Sequence, residues 1–159
     1  CAITAIEEAI ATVAHISLDT IVLMALICPE PETEFLMGWY RTGAHQPLIV
    51  TPWVRTELAN AISIKQRSRQ LNAQEASVAL HTGRRLLLTA YAEPLLTEDF
   101  DLAADLCAQA DSKLRGPDAL HLAAARRLGC TEIATLDGVM QDAARGLGVY
   151  PVDFGFKIA

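Results

Sequence analysis

The stretch RGPDALHLAAARRLGCTEIATLDGVM, residues 115–140, decides the fold. A helical pattern over 117–129 closes at Gly129, a usual helix stop. The apolar run EIATLD, 132–137, is short and bounded by turn and cap residues, as strands buried in a parallel sheet are. The next segment, 138–148, is helical again. The same alternation runs outward from this stretch. Further short strands are predicted at 16–19, 48–51 and 148–152, and further helices at 31–44, 52–70, 72–90 and 97–110. Thr51 caps the second of these helices with Pro52 at its first position, Asn72 caps the third, and Thr97 caps the fourth without a capping box. Strands alternating with helices predict an α/β fold with a central, mainly parallel sheet. Ligands of such sheets bind beyond the carboxyl ends of the strands. Asp19 and Asp137 both stand at such ends and would share one edge of the sheet.

With 159 residues the chain is expected to form one domain over 16–159, after an extension at 1–15. Ile3, Ile6, Ile10 and Val13 give that extension a short helical period. A hydrophobic content of 52% with 20% charged residues excludes a disordered chain. Cysteines at 1, 28, 107 and 130 form no Cys-x-x-Cys pair, so neither a zinc knuckle nor a disulfide framework is expected, and a cytoplasmic setting follows. The longest near-apolar run, 16–28, is too short to span a bilayer, so no membrane association is expected. The opening residues lack the basic start of a signal peptide. A net charge of −6 argues against nucleic acid, but its distribution does not. Residues 55–85 carry a net +4 and the remainder −10, so a basic segment that includes Lys65, Arg67 and Arg69 is available to phosphate.

Asp19, Asp118 and Asp137 each precede a helix, where Asp caps free N–H groups, and capping alone would account for each. Glu57 is different. It falls inside the apolar arc of Val54, Leu58 and Ala61, and a carboxylate turned toward a core needs a partner. Asp118 likewise shares a face with Leu122 and Ala125. If the four carboxylates converge, a divalent cation relieves their repulsion, and oxygen ligands suit Mg²⁺ or Mn²⁺. Thr20 and Thr135 flank two of the Asp residues and are candidates to hydrogen-bond a carboxylate. Arg115, three residues before Asp118, is a candidate phosphate contact. His121 is one helical step from Asp118 and could lie near the site, but a structural histidine is the preferred reading, and Trp39 and Trp53 read as core. No P-loop, Gly-x-Gly-x-x-Gly or nucleophile motif is present.

The order SLDTIV (17–22), VRTELANAI (54–62), GPDALHLAAARRLG (116–129) and IATLDGVM (133–140) resembles the PIN-domain nucleases, in particular the toxin ribonucleases of VapBC-type toxin–antitoxin pairs. DALHLA followed by TLD is the specific part of the match, which runs from about Ile16 to Asp153. The resemblance implies a three-layer α/β/α domain. It implies that Asp19, Glu57, Asp118 and Asp137 form a catalytic, metal-binding site. It further implies a Mg²⁺- or Mn²⁺-dependent endoribonuclease that cleaves RNA with a metal-activated water, a homodimer, and a cognate antitoxin that covers the site. Ile21 departs from the pattern, standing where Ser or Asn is usual. Two other phosphotransfer folds fit less well. A haloacid-dehalogenase-like hydrolase wants a second Asp at position 21, and a receiver domain wants an acidic pair before its first helix. The alternative from another class is a non-catalytic PIN-like scaffold that binds RNA or a protein partner.

Overall fold

The computed structural model describes residues 15–43 and 47–156. The expected extension at 1–15, apart from His15, lies outside them. Their order is β1 (Ile16–Leu18), α1 (Thr20–Ile27), α2 (Thr33–Thr42), β2 (Leu48–Val50), α3 (Trp53–Arg67), α4 (Ala73–Leu87), β3 (Tyr91–Ala92), α5 (Thr97–Ala108), a 3-10 turn (Ala110–Ser112), α6 (Gly116–Arg127), β4 (Glu132–Ala134), α7 (Gly138–Gly146) and β5 (Tyr150–Pro151). The five strands form one sheet in the order β3-β2-β1-β4-β5. Every pairing is parallel.

Side chains alternate across this sheet and so build two cores. Ile16, Leu18, Val50 and Ala134 face α1–α4. Ile49 and Ile133 face α5–α7. The register sets Ser17 opposite Ile49 and Ile133, on that second face. The result is the expected three-layer α/β/α arrangement, with the short central strands β1, β2 and β4 buried on both faces.

Several local expectations need correction. The helix expected to follow Asp19 is α1; its limits were hidden because Val22 to Leu26 are all buried and an all-apolar helix shows no period. Strand β3 has two exposed residues and offers no hydrophobic signal. Thr51 does not cap α3, since its buried hydroxyl has no hydrogen-bond partner. Thr97 is the first residue of α5 rather than its cap. The Asp99 carboxylate instead accepts the Leu96 N–H at 2.8 Å. Asn72 does cap α4, accepting from the Gln74 and Glu75 N–H groups at 2.9 Å, while Glu75 reaches back to the Asn72 N–H. Gly129 ends α6 with φ of 67°, a conformation glycine adopts without strain. Trp39 packs edge-on against Phe154, and Trp53 packs on the second core, as expected of core residues. Among the described residues no helix is long and apolar enough to cross a membrane.

Candidate active site

From β1 the chain runs to β2 and β3 on one side, and β4 and β5 extend the sheet on the other. The boundary between β1 and β4 is therefore the topological switch point, where a crevice opens beyond the strand ends. Asp19 follows β1 directly, and Asp137 follows β4 by three residues. Helix α3 brings Glu57 from one layer, and α6 brings Asp118 from the other. All four carboxylates line one cleft of about 640 Å³, together with Thr20, Lys65 and Arg115.

Asp19, Glu57 and Asp118 are each held by the protein through one oxygen, and Asp137 through both. Asp19, 7% exposed, accepts the Thr135 hydroxyl on Oδ2 at 2.7 Å. Thr135 is itself fully buried and turns its oxygen to the Asp137 N–H. Glu57 accepts on Oε2 from the Thr20 hydroxyl and from His121 Nε2, both at 2.6 Å. Asp137 caps α7, its Oδ1 accepting the Met140 N–H at 3.0 Å, while its Oδ2 lies 3.4 Å from the Arg115 guanidinium. Asp118 Oδ2 accepts from Arg115 Nε at 2.9 Å. Arg115 thus spans the carboxylates of α6 and α7 from an exposed position.

The capping explanation accordingly holds for Asp137 alone. Asp19 closes no cap bond with α1. The Ile21 N–H stabilises its charge only weakly, short of a full hydrogen bond. Burial pushes the Asp19 carboxyl above its ordinary range, with His121 and the Thr135 hydroxyl pulling it back and Glu57 pushing it further up. At Glu57 burial acts the same way. There the hydrogen bond and charge of His121 and the Thr20 hydroxyl outweigh it, and the pKa falls below the usual value. The Trp53 indole N–H also favours charged Glu57, although it closes no hydrogen bond. For His121 desolvation opposes the charge, but the Glu57 bond and the fields of Asp19, Glu57 and Asp118 prevail, and the imidazole is raised.

For His121 the structural reading preferred from the sequence gives way to its alternative, a place in the site. The residue is 3% exposed and lies inside the site, with Nε2 3.8 Å from Asp19 Oδ1. Its one available signal was its position three residues after Asp118, on the same helix face. Lys65 reaches the cleft wall, where it pairs with Glu30. Arg67 and Arg69 stand at the exposed end of α3 and do not line the cleft.

The donor set fits a divalent cation. Asp19 and Glu57 offer carboxylate oxygens within 4.8 Å of one another, with His121 beside them. Asp118 and Asp137 each turn a carboxylate oxygen toward Arg115, which is 73% exposed and able to leave. Such oxygen-rich sites take hard or borderline ions.

The model of the PIN domain family matches residues 16–146. The chain is 34% identical over 140 residues to Ribonuclease VapC46 of Mycobacterium tuberculosis, covering 86% of this chain and 95% of that protein. It shares its fold with the sarcin–ricin-loop-cleaving toxin VapC20 of the same organism (TM-score 0.62, 19% identity, 80% of this chain and 94% of that one). It also shares the fold of FitAcB from Neisseria gonorrhoeae (TM-score 0.67, 18% identity, 87% and 97%) and of DNA-bound VapBC from Salmonella typhimurium (TM-score 0.64, 13% identity, 89% and 98%). A family model covers most of its length and a relative 34% identical spans 86% of it, so the chain belongs to the PIN domain family.

Proposed function

We propose that the protein is a metal-dependent endoribonuclease, the toxin of a toxin–antitoxin pair, using Mg²⁺ or Mn²⁺. One observation carries the reading: Asp19, Glu57, Asp118 and Asp137 reach a single cleft at the switch point from four different segments. A bound divalent ion supplies Lewis-acid activation of water and neutralises charge on a phosphodiester. The chain's own residues do the rest. Thr135 and Thr20 with His121 orient Asp19 and Glu57 through one oxygen each, leaving the others for ligation. Asp118 and Asp137 supply further anionic oxygens once Arg115 turns away from them. Arg115 and Lys65 then flank the cleft as contacts for RNA phosphates, with Arg67 and Arg69 extending the basic path along α3.

Ribonuclease VapC46 is named for RNA cleavage, and the Salmonella neighbour is a VapBC assembly on DNA. By analogy the partners here are structured RNA, a cognate antitoxin protein and a second copy of this chain. The setting is the cytoplasm, the nuclease domain is residues 16–159, and residues 1–15 are an extension to it. Cleavage of a pool of structured RNAs, with Mg²⁺, Mn²⁺ or EDTA, tests the activity. Metal-dependent cutting by the wild type and none by Asp118→Asn is expected. Undiminished cutting by a folded Asp118→Asn would refute the site.

A further inference from the structure

We infer that His121 is a positioning residue for Glu57. It fixes which carboxylate oxygen is available to a ligand and thereby sets the affinity of the acidic cleft for a divalent cation. The inference deepens the metal-dependent reading above and rests on it.

An ionised carboxylate only accepts, so His121 Nε2, 2.6 Å from Glu57 Oε2, carries the proton. That holds whether the ring is neutral or charged. Thr20 donates to the same oxygen, also at 2.6 Å. With two donors on Oε2, and no hydrogen bond to Oε1 among the described residues, Oε1 is the oxygen left for a cation. A free Glu side chain samples many rotamers. Here three elements pin it: α3 carries it, α1 supplies Thr20 and α6 supplies His121. The same nitrogen lies 3.8 Å from Asp19 Oδ1, too far for a hydrogen bond, so its directional bond goes to Glu57 alone. A protonated Nε2 has no lone pair to offer a metal, which makes His121 a support of the ligand set and not a member of it.

A packing role fits the position poorly. His121 sits among the buried Leu120, Leu122 and Ala124 of α6. Leucine would fill that space without the cost of burying a polar ring. The ring is spent on the carboxylate that the apolar arc of α3 carries inward.

The test is Mn²⁺ binding to the metal-free protein, by calorimetry and electron paramagnetic resonance, with melting of the metal-free forms alongside. Wild type, His121→Gln, His121→Leu and Thr20→Val are compared. His121→Leu is expected to melt near the wild type and to bind Mn²⁺ about 10–100-fold more weakly. His121→Gln, whose amide N–H reaches as far as ring Nε2, is expected to stay within a few-fold of wild type. Thr20→Val removes the other donor to Oε2, is expected to weaken binding in the same direction, and carries the test if His121→Leu does not fold. Undiminished Mn²⁺ affinity in a folded His121→Leu, or in Thr20→Val where that variant carries the test, overturns the inference alone. Nitrogen coupling to Mn²⁺ that disappears in His121→Leu also overturns it, by showing a ligand. A wild type that binds no Mn²⁺ removes the metal reading and the inference with it.

Discussion

Two buried aspartates in this chain do opposite things to its stability. Burial raises the pKa of Asp19, so ionising this carboxyl costs the fold stability. That burden is present above the folded pKa and is relieved as pH falls through it. Asp19→Asn keeps an acceptor for Thr135 and removes the charge. Its metal-free form is expected to melt at or above the wild type at pH 7 while losing Mn²⁺ binding, the trade-off typical of a functional group. A drop in melting temperature with metal binding intact would show a structural carboxylate instead. Asp99 is the contrast. It is 1% exposed, and its two oxygens meet Arg127 Nε at 2.7 Å and Nη2 at 2.8 Å. Desolvation is the largest influence on it, but the Arg127 hydrogen bonds and the Leu96 N–H outweigh that and depress its pKa. Its contribution is therefore complete above the unfolded value and is lost as pH falls through the folded one. Asp99→Asn should cost about 3 kcal/mol at pH 7, the low end for a broken buried pair because Arg127 keeps some water. The cost should shrink in acid, which chemical denaturation at pH 7 and pH 3 measures. At this scale the sequence named all four cleft acids, because Glu57 sits on an apolar arc and the three Asp residues stand at element boundaries. It left His121 undecided, because a lone histidine on an apolar helix face looks the same whether it packs or supports a carboxylate.

Elements were legible where they carry a period or a cap. The Asn72–Glu75 box was half visible from Asn72 alone, and Asn72→Ala should cost about 1 kcal/mol with metal affinity unchanged. Urea denaturation and a Mn²⁺ titration of that variant check both halves. The extent of helix α1 was illegible because it is buried nearly all round and reads as an undifferentiated apolar run. It matters to function nonetheless, since it starts at Thr20 and so fixes the Thr20–Glu57 bond. Strand β3 was illegible because two exposed residues at a sheet edge have no pattern to show.

For the whole molecule, the strand order places acids far apart in sequence at one switch point, and no local pattern encodes that convergence. It was readable only through resemblance to a family. The net charge of −6 conceals a basic segment whose Arg55, Arg67, Arg69, Arg84 and Arg85, on α3, α4 and the turn between them, are all exposed. Removing Arg67 and Arg69 together should weaken RNA binding and flatten its salt dependence by about 0.7 in log–log slope per lost phosphate contact, leaving kcat unchanged. Fluorescence anisotropy across a salt series reads this. The central claim is that the four carboxylates make this fold a metal-dependent ribonuclease. It is tested most directly by assaying wild type and the single variants Asp19→Asn, Glu57→Gln, Asp118→Asn and Asp137→Asn on structured RNA, with Mn²⁺ and with EDTA. The account predicts cutting by the wild type with Mn²⁺, none in EDTA, and loss in each folded variant. Cutting that survives both EDTA and the removal of these carboxylates would contradict it.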